Sequence, residues 1–209
     1  YQSALSSRTT TSLTIDEVHE LGFKELERVN KALRERFTLL GYPEGESMTE
    51  LYERFETDEN AITIEAADVL PTYEAMIEKA YANVGEAFSL IPKEKVVVIG
   101  GHGAFYVSGS EDGTRPGAFY ASNYRDQLRF WMPTLTYHEA IPGHHFQLAL
   151  IKELDLPKFR KEIHFTAFVE GWALYAESLV KKLNWYEGDI YGELGQLYWE
   201  AIRAARLVI

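Results

Sequence analysis

The stretch Tyr137-His-Glu-Ala-Ile-Pro-Gly-His-His-Phe-Gln147 determines how the C-terminal third of this chain can fold. It lies inside a helical pattern of apolar residues that extends from Leu135 to Leu154, and a regular helix does not continue through its Pro142-Gly143 step. Two more helical patterns follow, Phe159–Leu183 and Asp189–Ile209. The sequence therefore predicts a group of long helices, the first of which is broken inside its histidine-rich motif.

Helices are also predicted in the N-terminal part of the chain. Thr14-Ile-Asp-Glu17 and Ser47-Met-Thr-Glu50 are capping boxes, which satisfy free N–H groups at a helix start and here open a long helix and a short one. Between residues 72 and 87, apolar side chains recur at the spacing of an amphipathic helix with one buried stripe. The polar and β-branched segment Ser6–Leu13 is expected to be a loop.

Short β-branched and aromatic runs in the middle of the chain predict a small sheet or hairpin. Val96–Ile99 is followed by Gly100-Gly101, and Ala118–Ser122 comes after a turn-forming segment rich in glycine. Ala118–Ser122 is either an edge strand, free to pair with an extended peptide substrate, or an ordinary hairpin strand. We therefore expect a mainly α fold with the β-structure inserted before the motif-bearing helix.

These elements divide the chain into three consecutive parts of a single unit. Residues 1–93 form a helical scaffold, residues 94–134 hold the strands and a loop, and residues 135–209 form the helices that carry the histidine motif. The chain stops at Ile209 inside a helical pattern without a cap, and the first residues, Tyr1 to Thr11, are not a signal peptide. We therefore expect residues 1–209 to be one fragment of a larger, mostly helical domain.

Composition excludes several classes of protein. The absence of cysteine rules out disulfide frameworks, thiolate zinc sites, iron–sulfur centres and cysteine nucleophiles. The 21 basic residues against 32 acidic ones give a net charge of −11, which argues against a nucleic-acid partner. No apolar run approaches the roughly 20 residues of a membrane span. The oligomeric state does not follow from the sequence.

Half of the six histidines fall within eight residues, in a pattern that suits a metal site. In the common His-Glu-x-x-His motif, residues four apart on a helix direct both imidazoles to one ion. Here His138 and Glu139 are followed by His144 at i+6, and a two-residue bulge at the proline–glycine step would bring His144 to the i+4 position. A three-residue bulge would do the same for His145, so both histidines remain candidates for the second ligand.

Glu170 is the candidate third ligand, 26 residues after His144 on the next predicted long helix. A catalytic zinc ion takes three protein ligands and leaves its fourth position to water. Glu170 lies in an apolar stretch, where a carboxylate is costly unless it is paired or metal-bound. Glu177, two turns further on the same face, is better suited to hydrogen-bond a ligand than to be one. Glu139 is the candidate general base.

The two motifs resemble those of a bacterial family. His138-Glu-Ala-Ile-Pro-Gly-His-His-Phe-Gln147 and Phe168-Val-Glu-Gly-Trp-Ala-Leu-Tyr-Ala-Glu177 are similar to motifs of the bacterial domain-of-unknown-function family 885. That family is grouped with the gluzincins, which are zinc peptidases with two histidines and a downstream glutamate. The Phe168-Val-Glu170 segment also resembles the third-ligand helix of thimet-oligopeptidase-like enzymes. The similarity extends along most of the chain, including Thr9-Thr10, Val18–Gly22, Gly117–Tyr120 and Arg203–Ile209.

The resemblance implies a mainly helical, zincin-like metallopeptidase fragment that binds one Zn²⁺ ion. It assigns His138, His144 and Glu170 as metal ligands and Glu139 as the general base. Family members are usually longer and continue into an Asp-Thr-Gly-x-His motif, which this chain lacks. If that histidine acts on substrate, the isolated chain is expected to be inactive. A bacterial cytoplasm, periplasm and cell envelope all remain open as the compartment.

The expected function is zinc-dependent hydrolysis of peptide or peptide-like amide bonds. One alternative is a metal-dependent hydrolase of a non-peptide amide or an ester, and another is a catalytically inactive binding module that keeps the fold. The same donor set also suits iron, cobalt or manganese. Arg203 and Arg206 either hold a substrate carboxylate or complement a helix dipole. Candidate donors to a reaction oxyanion are Tyr120, Tyr124, Tyr137, Tyr191 and Tyr198.

Overall fold

A computed structural model describes residues 1–58 and 61–209, and it confirms the mainly α architecture. Within the described ranges, every helix is either too short or too polar to cross a lipid bilayer. The helices are α1 (Gln2–Thr9), α2 (Ile15–Leu39), α3 (Met48–Glu56), α4 (Val69–Val84), α5 (Met132–Glu139), α6 (His144–Glu153), α7 (Lys158–Glu162), α8 (Thr166–Lys182) and α9 (Ile190–Ala205).

Local sequence signals determine where α2 and α3 begin. The Thr14 hydroxyl accepts the N–H of Glu17, and the Glu17 carboxylate accepts the N–H of Thr14. The same reciprocal pair of hydrogen bonds joins Ser47 and Glu50. Both predicted capping boxes are therefore confirmed. The expectation of a loop over residues 6–13 is wrong in its first half, since α1 continues through Thr9. The sequence did not reveal this helix, because α1 buries no residue and its apolar residues therefore follow no helical period.

The β-structure consists of a three-stranded sheet and a two-stranded one. In the larger sheet, β4 (Ala118–Ser122) lies between β2 (Val97–Gly101), to which it is parallel, and β3 (Phe105–Val107), to which it is antiparallel. Both predicted strands are present, but the edge-strand alternative for Ala118–Ser122 is wrong because both of its edges are paired. The smaller sheet pairs β1 (Thr63–Ile64) with β5 (Gln127–Leu128).

Two clusters of buried residues hold these elements together. In the first, the predicted stripe of α4 is buried with the sheet and with α5 and α6; Tyr73, Ile77 and Phe119 are among its residues. In the second, α2 packs along α9 and places Leu33 against the apolar face that contains Leu194. Since α5 contacts α4, α8 and α9, it lies at the centre of the helical assembly.

Candidate metal centre

The proline–glycine step separates α5 from α6 by four residues, Ala140–Gly143. The break is therefore longer than a two-residue bulge within one helix. It is closed by a hydrogen bond from the Phe146 N–H to the Ala140 carbonyl, 3.2 Å long. A side chain at Gly143 would collide with the backbone carbonyls of Tyr137 and His138. Only glycine therefore allows the break to pack this closely on the end of α5, and this packing brings the start of α6 back beside His138.

The structure brings together the three residues assigned as ligands. One ligand atom from each of His138, His144 and Glu170 lies within 4.8 Å of the other two. The Nε2 atoms of His138 and His144 are 3.9 and 3.7 Å from Glu170 Oε2. The two imidazole rings are perpendicular, with centroids 4.7 Å apart. The cluster thus presents two ring nitrogens and one carboxylate oxygen to a common point.

The three side chains differ in exposure. His138 and His144 are buried, whereas the side chain of Glu170 is 60% exposed. The expectation that Glu170 lies in apolar surroundings is therefore wrong, because this part of α8 faces solvent and its neighbour Phe168 is exposed as well. One side of the cluster is consequently open, as access by a substrate would require.

Two hydrogen bonds attach α8 to the broken helix, one on each side of Glu170. The Trp172 Nε1–H donates to the Pro142 carbonyl at 2.8 Å. The Gln147 Nε2–H donates to the Phe168 carbonyl at 3.1 Å. These bonds fix the position of Glu170 relative to the start of α6, so the geometry of the cluster depends on contacts between distant parts of the sequence.

Glu177 hydrogen-bonds His138, in agreement with the role expected for it. This fully buried carboxylate lies 2.6 Å from His138 Nδ1, and as a carboxylate it accepts the ring proton. It also accepts a hydrogen bond from the Thr134 hydroxyl and forms an ion pair with Arg203, whose Nη2 is 2.8 Å from Oε1. The carboxylate is thereby charge-balanced in the core, and the Nε2 atom of His138 is left facing His144 and Glu170.

The general-base candidate Glu139 is buried directly beside the cluster, with 6% of its surface exposed. Burial raises the pKa of Glu139 to about 7, with a smaller contribution in the same direction from the charge of Glu170. His138 and a hydrogen bond from the backbone of Tyr106 oppose this rise. A carboxyl group with this pKa takes up and releases a proton near neutral pH.

Of the two candidates for the second ligand, only His144 faces the cluster. Burial lowers the pKa of His144 to about 3, with smaller contributions from His138 and Arg203, so its imidazole is neutral and able to bind a metal. His145 is fully buried and points elsewhere, with Nε2 2.9 Å from the Glu94 carbonyl and Nδ1 3.1 Å from the Tyr106 hydroxyl. His145 therefore connects α6 to the sheet.

Two of the tyrosines proposed as oxyanion donors have hydroxyls that donate elsewhere, and the rings of the other three pack on neighbouring aromatic side chains. Tyr137 donates to the Trp185 carbonyl and Tyr191 to the Asp58 carboxylate, while Tyr120 stacks on Phe105. Tyr124 contacts His102, and Tyr198 stacks on Trp131. Arg203, considered as a binder of substrate carboxylate, is engaged by Glu177. The sequence analysis gave no role to Thr134 or to Gln147. For Gln147 a signal was present, because a residue three positions after His144 shares its face of the helix.

The fold and the cluster together define a mainly helical protein in which two histidines and a glutamate lie close enough to hold a metal ion. The chain belongs to the family described as bacterial protein of unknown function, DUF885, which it matches over residues 1–209. No protein in the curated collection of characterised proteins matches it.

Two solved structures share the fold over the whole chain. The first is a crystal structure of a candidate lipoprotein from Colwellia psychrerythraea, with 30% sequence identity and a TM-score of 0.91. The second, a candidate lipoprotein of unknown function from Shewanella oneidensis, has 17% identity and a TM-score of 0.81, and so shows the fold alone. The chain spans 38% of the first structure and 42% of the second.

Proposed function

We propose that this chain carries the catalytic centre of a zinc-dependent hydrolase that cleaves peptide or peptide-like amide bonds. One observation carries the proposal. Three metal-ligating atoms converge within 4.8 Å, directly beside a buried carboxyl group, Glu139, whose pKa is raised to about 7. A set of three ligands next to a proton-transfer group is the usual composition of a hydrolytic zinc site.

The donor atoms fit a zinc ion in number and spacing. Bond lengths of about 2.0–2.2 Å in a tetrahedron place neighbouring ligand atoms about 3.4 Å apart. Glu170 Oε2 lies 3.7 Å from His144 Nε2 and 3.9 Å from His138 Nε2, and all three ligand atoms lie within 4.8 Å of one another, so small inward movements of the side chains would bring them to that spacing. Neutral imidazole and carboxylate are both zinc ligands, and the hydrogen bond from His138 to Glu177 is the support that such ligands commonly have.

In the proposed reaction, three residues would hold the metal ion and a fourth, Glu139, transfers the proton. A zinc ion bound by His138, His144 and Glu170 would supply Lewis acidity and lower the pKa of a coordinated water to about 7. Glu139 takes a proton from the attacking water on its carboxylate as the water oxygen bonds to the carbonyl carbon, and it delivers that proton to the amide nitrogen as the carbon–nitrogen bond breaks. Burial suits Glu139 to proton transfer, because in the metal-free protein it raises the pKa of this carboxyl group to about 7, near the working pH.

One relative supports a proposal for the compartment. The Colwellia psychrerythraea structure is described as a candidate lipoprotein, and a lipid anchor attaches a protein to a membrane surface. We therefore propose the bacterial cell envelope as the compartment of the protein that contains this chain.

The metal assignment is tested by elemental analysis of protein prepared in zinc-supplemented medium. We expect about one zinc per chain in the wild type and little in His138→Ala. His164→Ala is the matched control, because His164 is exposed and lies outside the cluster. Wild-type protein without bound metal would refute the site.

The reaction is tested with Glu139→Gln, in this chain and in the longest natural form of the protein. We expect this variant to bind zinc like the wild type but to lose hydrolysis of a peptide library by at least 100-fold, because the general base is gone. Retained turnover would refute the role of Glu139. Wild-type cleavage of esters without cleavage of peptides would instead support hydrolysis of a different bond.

A further inference from the structure

Two polar atoms on α6 are buried without a hydrogen-bond partner in the described part of the chain. They are Nδ1 of His144 and Oε1 of Gln147. The two residues are 7% and 5% exposed, so solvent does not satisfy these atoms. Residues three apart on a helix share a face and are neighbours. A buried donor site and a buried acceptor without partners therefore lie one turn apart.

Metal binding determines which ring nitrogen of His144 carries the proton. Nε2 is the atom that faces Glu170, at 3.7 Å, and a metal-bound nitrogen carries no hydrogen. The proton of the neutral ring must then be on Nδ1, which becomes a buried donor that requires an acceptor. For His138, the other histidine of the cluster, Glu177 already supplies that acceptor. No such partner is in contact with His144 within the described residues.

The amide of Gln147 has an unpaired oxygen that could serve as the missing acceptor. Its Nε2–H donates to the carbonyl of Phe168 on α8, so the amide oxygen is the acceptor without a partner. We propose that Gln147 is a positioning residue of the metal site, whose Oε1 accepts the Nδ1–H of His144 when Nε2 of His144 binds the metal. Gln147 thereby connects a histidine ligand to the helix that carries Glu170. This inference rests on the proposed metal site.

The test is a zinc titration of the 209-residue chain against a competing chelator, for the wild type and three variants. Gln147→Met keeps the shape but removes both hydrogen bonds, and we expect zinc affinity to fall 10- to 100-fold, the usual cost of losing such a partner. Gln147→Glu keeps an acceptor for His144 but loses the donor to Phe168, and we expect its affinity to stay within a few-fold of the wild type. Gln196→Met is the matched control, because Gln196 is equally buried but bonds Glu200.

The Gln147→Glu variant separates positioning from a purely structural role. If Gln147 only joined α6 to α8, a carboxylate facing the Phe168 carbonyl would be repelled, and Gln147→Glu would bind zinc more weakly than Gln147→Met. That order, or equal affinity of Gln147→Met and wild type, would overturn the inference while leaving the metal site in place. Absence of zinc binding by the wild type would overturn both. Melting curves of the metal-free variants identify any that fail to fold. If Gln147→Met does not fold, the zinc affinity of Gln147→Glu is compared with that of the wild type alone.

Discussion

Gly143 is the residue whose replacement tests most directly how the break in the helix builds the metal site. A Cβ atom added at Gly143 would lie 2.5 Å from the carbonyl carbon of His138 and still closer to the carbonyl oxygens of Tyr137 and His138. Atoms that a Cβ meets are normally no nearer than 3.0 Å, and ordinary contact begins at 3.4 Å. Relief of the carbon contact alone requires 0.5 to 0.9 Å, the distance from 2.5 Å to those limits, and the two closer oxygens require more, so Gly143→Ala must push the start of α6 and the end of α5 apart by more than this.

This displacement should lower both the free energy of unfolding and the affinity for zinc, and both losses can be estimated. Overpacking a well-packed site costs about 1–3 kcal/mol, so the free energy of unfolding of the metal-free protein should fall by that amount. His138 and His144 lie on opposite sides of the forced gap, and a metal site tolerates errors of only about 0.2 Å in its ligand distances. Misplacement by about 1 Å commonly costs on the order of 100-fold in a site's activity. We expect a loss of the same order in zinc affinity.

The assay combines urea unfolding of the metal-free protein with competitive zinc titration. Gly171→Ala is the matched control, since Gly171 follows Glu170 on α8 and an added Cβ there meets nothing within 4 Å. We expect this control to bind zinc like the wild type and to gain up to about 1 kcal/mol, because alanine is favoured over glycine inside a helix. A Gly143→Ala protein with wild-type stability and zinc affinity would refute the claim that close backbone approach fixes the ligand geometry.

Other predictions concern the buried charges and the helix ends. Burial raises the pKa of Glu139 to about 7 from an ordinary 4.5, so between these pH values the metal-free folded state keeps a proton that the unfolded chain has released. The free energy of unfolding should therefore fall by about 3 kcal/mol as the pH rises from about 4.5 to 7. Urea unfolding of Glu139→Gln should show a fall that is smaller by this amount. Glu177→Gln should destabilise the protein by about 1–3 kcal/mol, because it leaves the partly exposed Arg203 charge without its partner, and thermal melts of the double variant Glu177→Gln/Arg203→Met should recover part of that loss. Ser47→Ala should cost about 1 kcal/mol by removing a helix cap, whereas an unchanged midpoint of urea unfolding would mean that the capping box with Glu50 contributes nothing.

Elements with local causes were predictable from the sequence. A capping box is a set of hydrogen bonds within four residues, so Thr14 and Ser47 marked the starts of α2 and α3 without reference to the rest of the fold. The proline–glycine step likewise marked the break between α5 and α6. By contrast, α1 packs no apolar face into the core, and so it left no periodic signal to read.

Strand order was not predictable, because it depends on contacts between distant segments. Ala118–Ser122 was recognised as a strand from its composition, yet nothing in those five residues shows that β2 and β3 occupy both of its edges. The exposure of Glu170 was also misjudged, since the apolar residues around it in sequence face in several directions once they form a helix.

The sequence by itself determined the kinds of donor atom and their separation along the chain: two histidines across a helix break and a glutamate 26 residues beyond the second. Only the tertiary structure decided that His144 rather than His145 faces Glu170, that Glu177 holds His138, and that Arg203 balances the Glu177 charge. The physical reason is that side-chain chemistry belongs to single residues, whereas direction and distance are set by how α5, α6, α8 and α9 pack against one another.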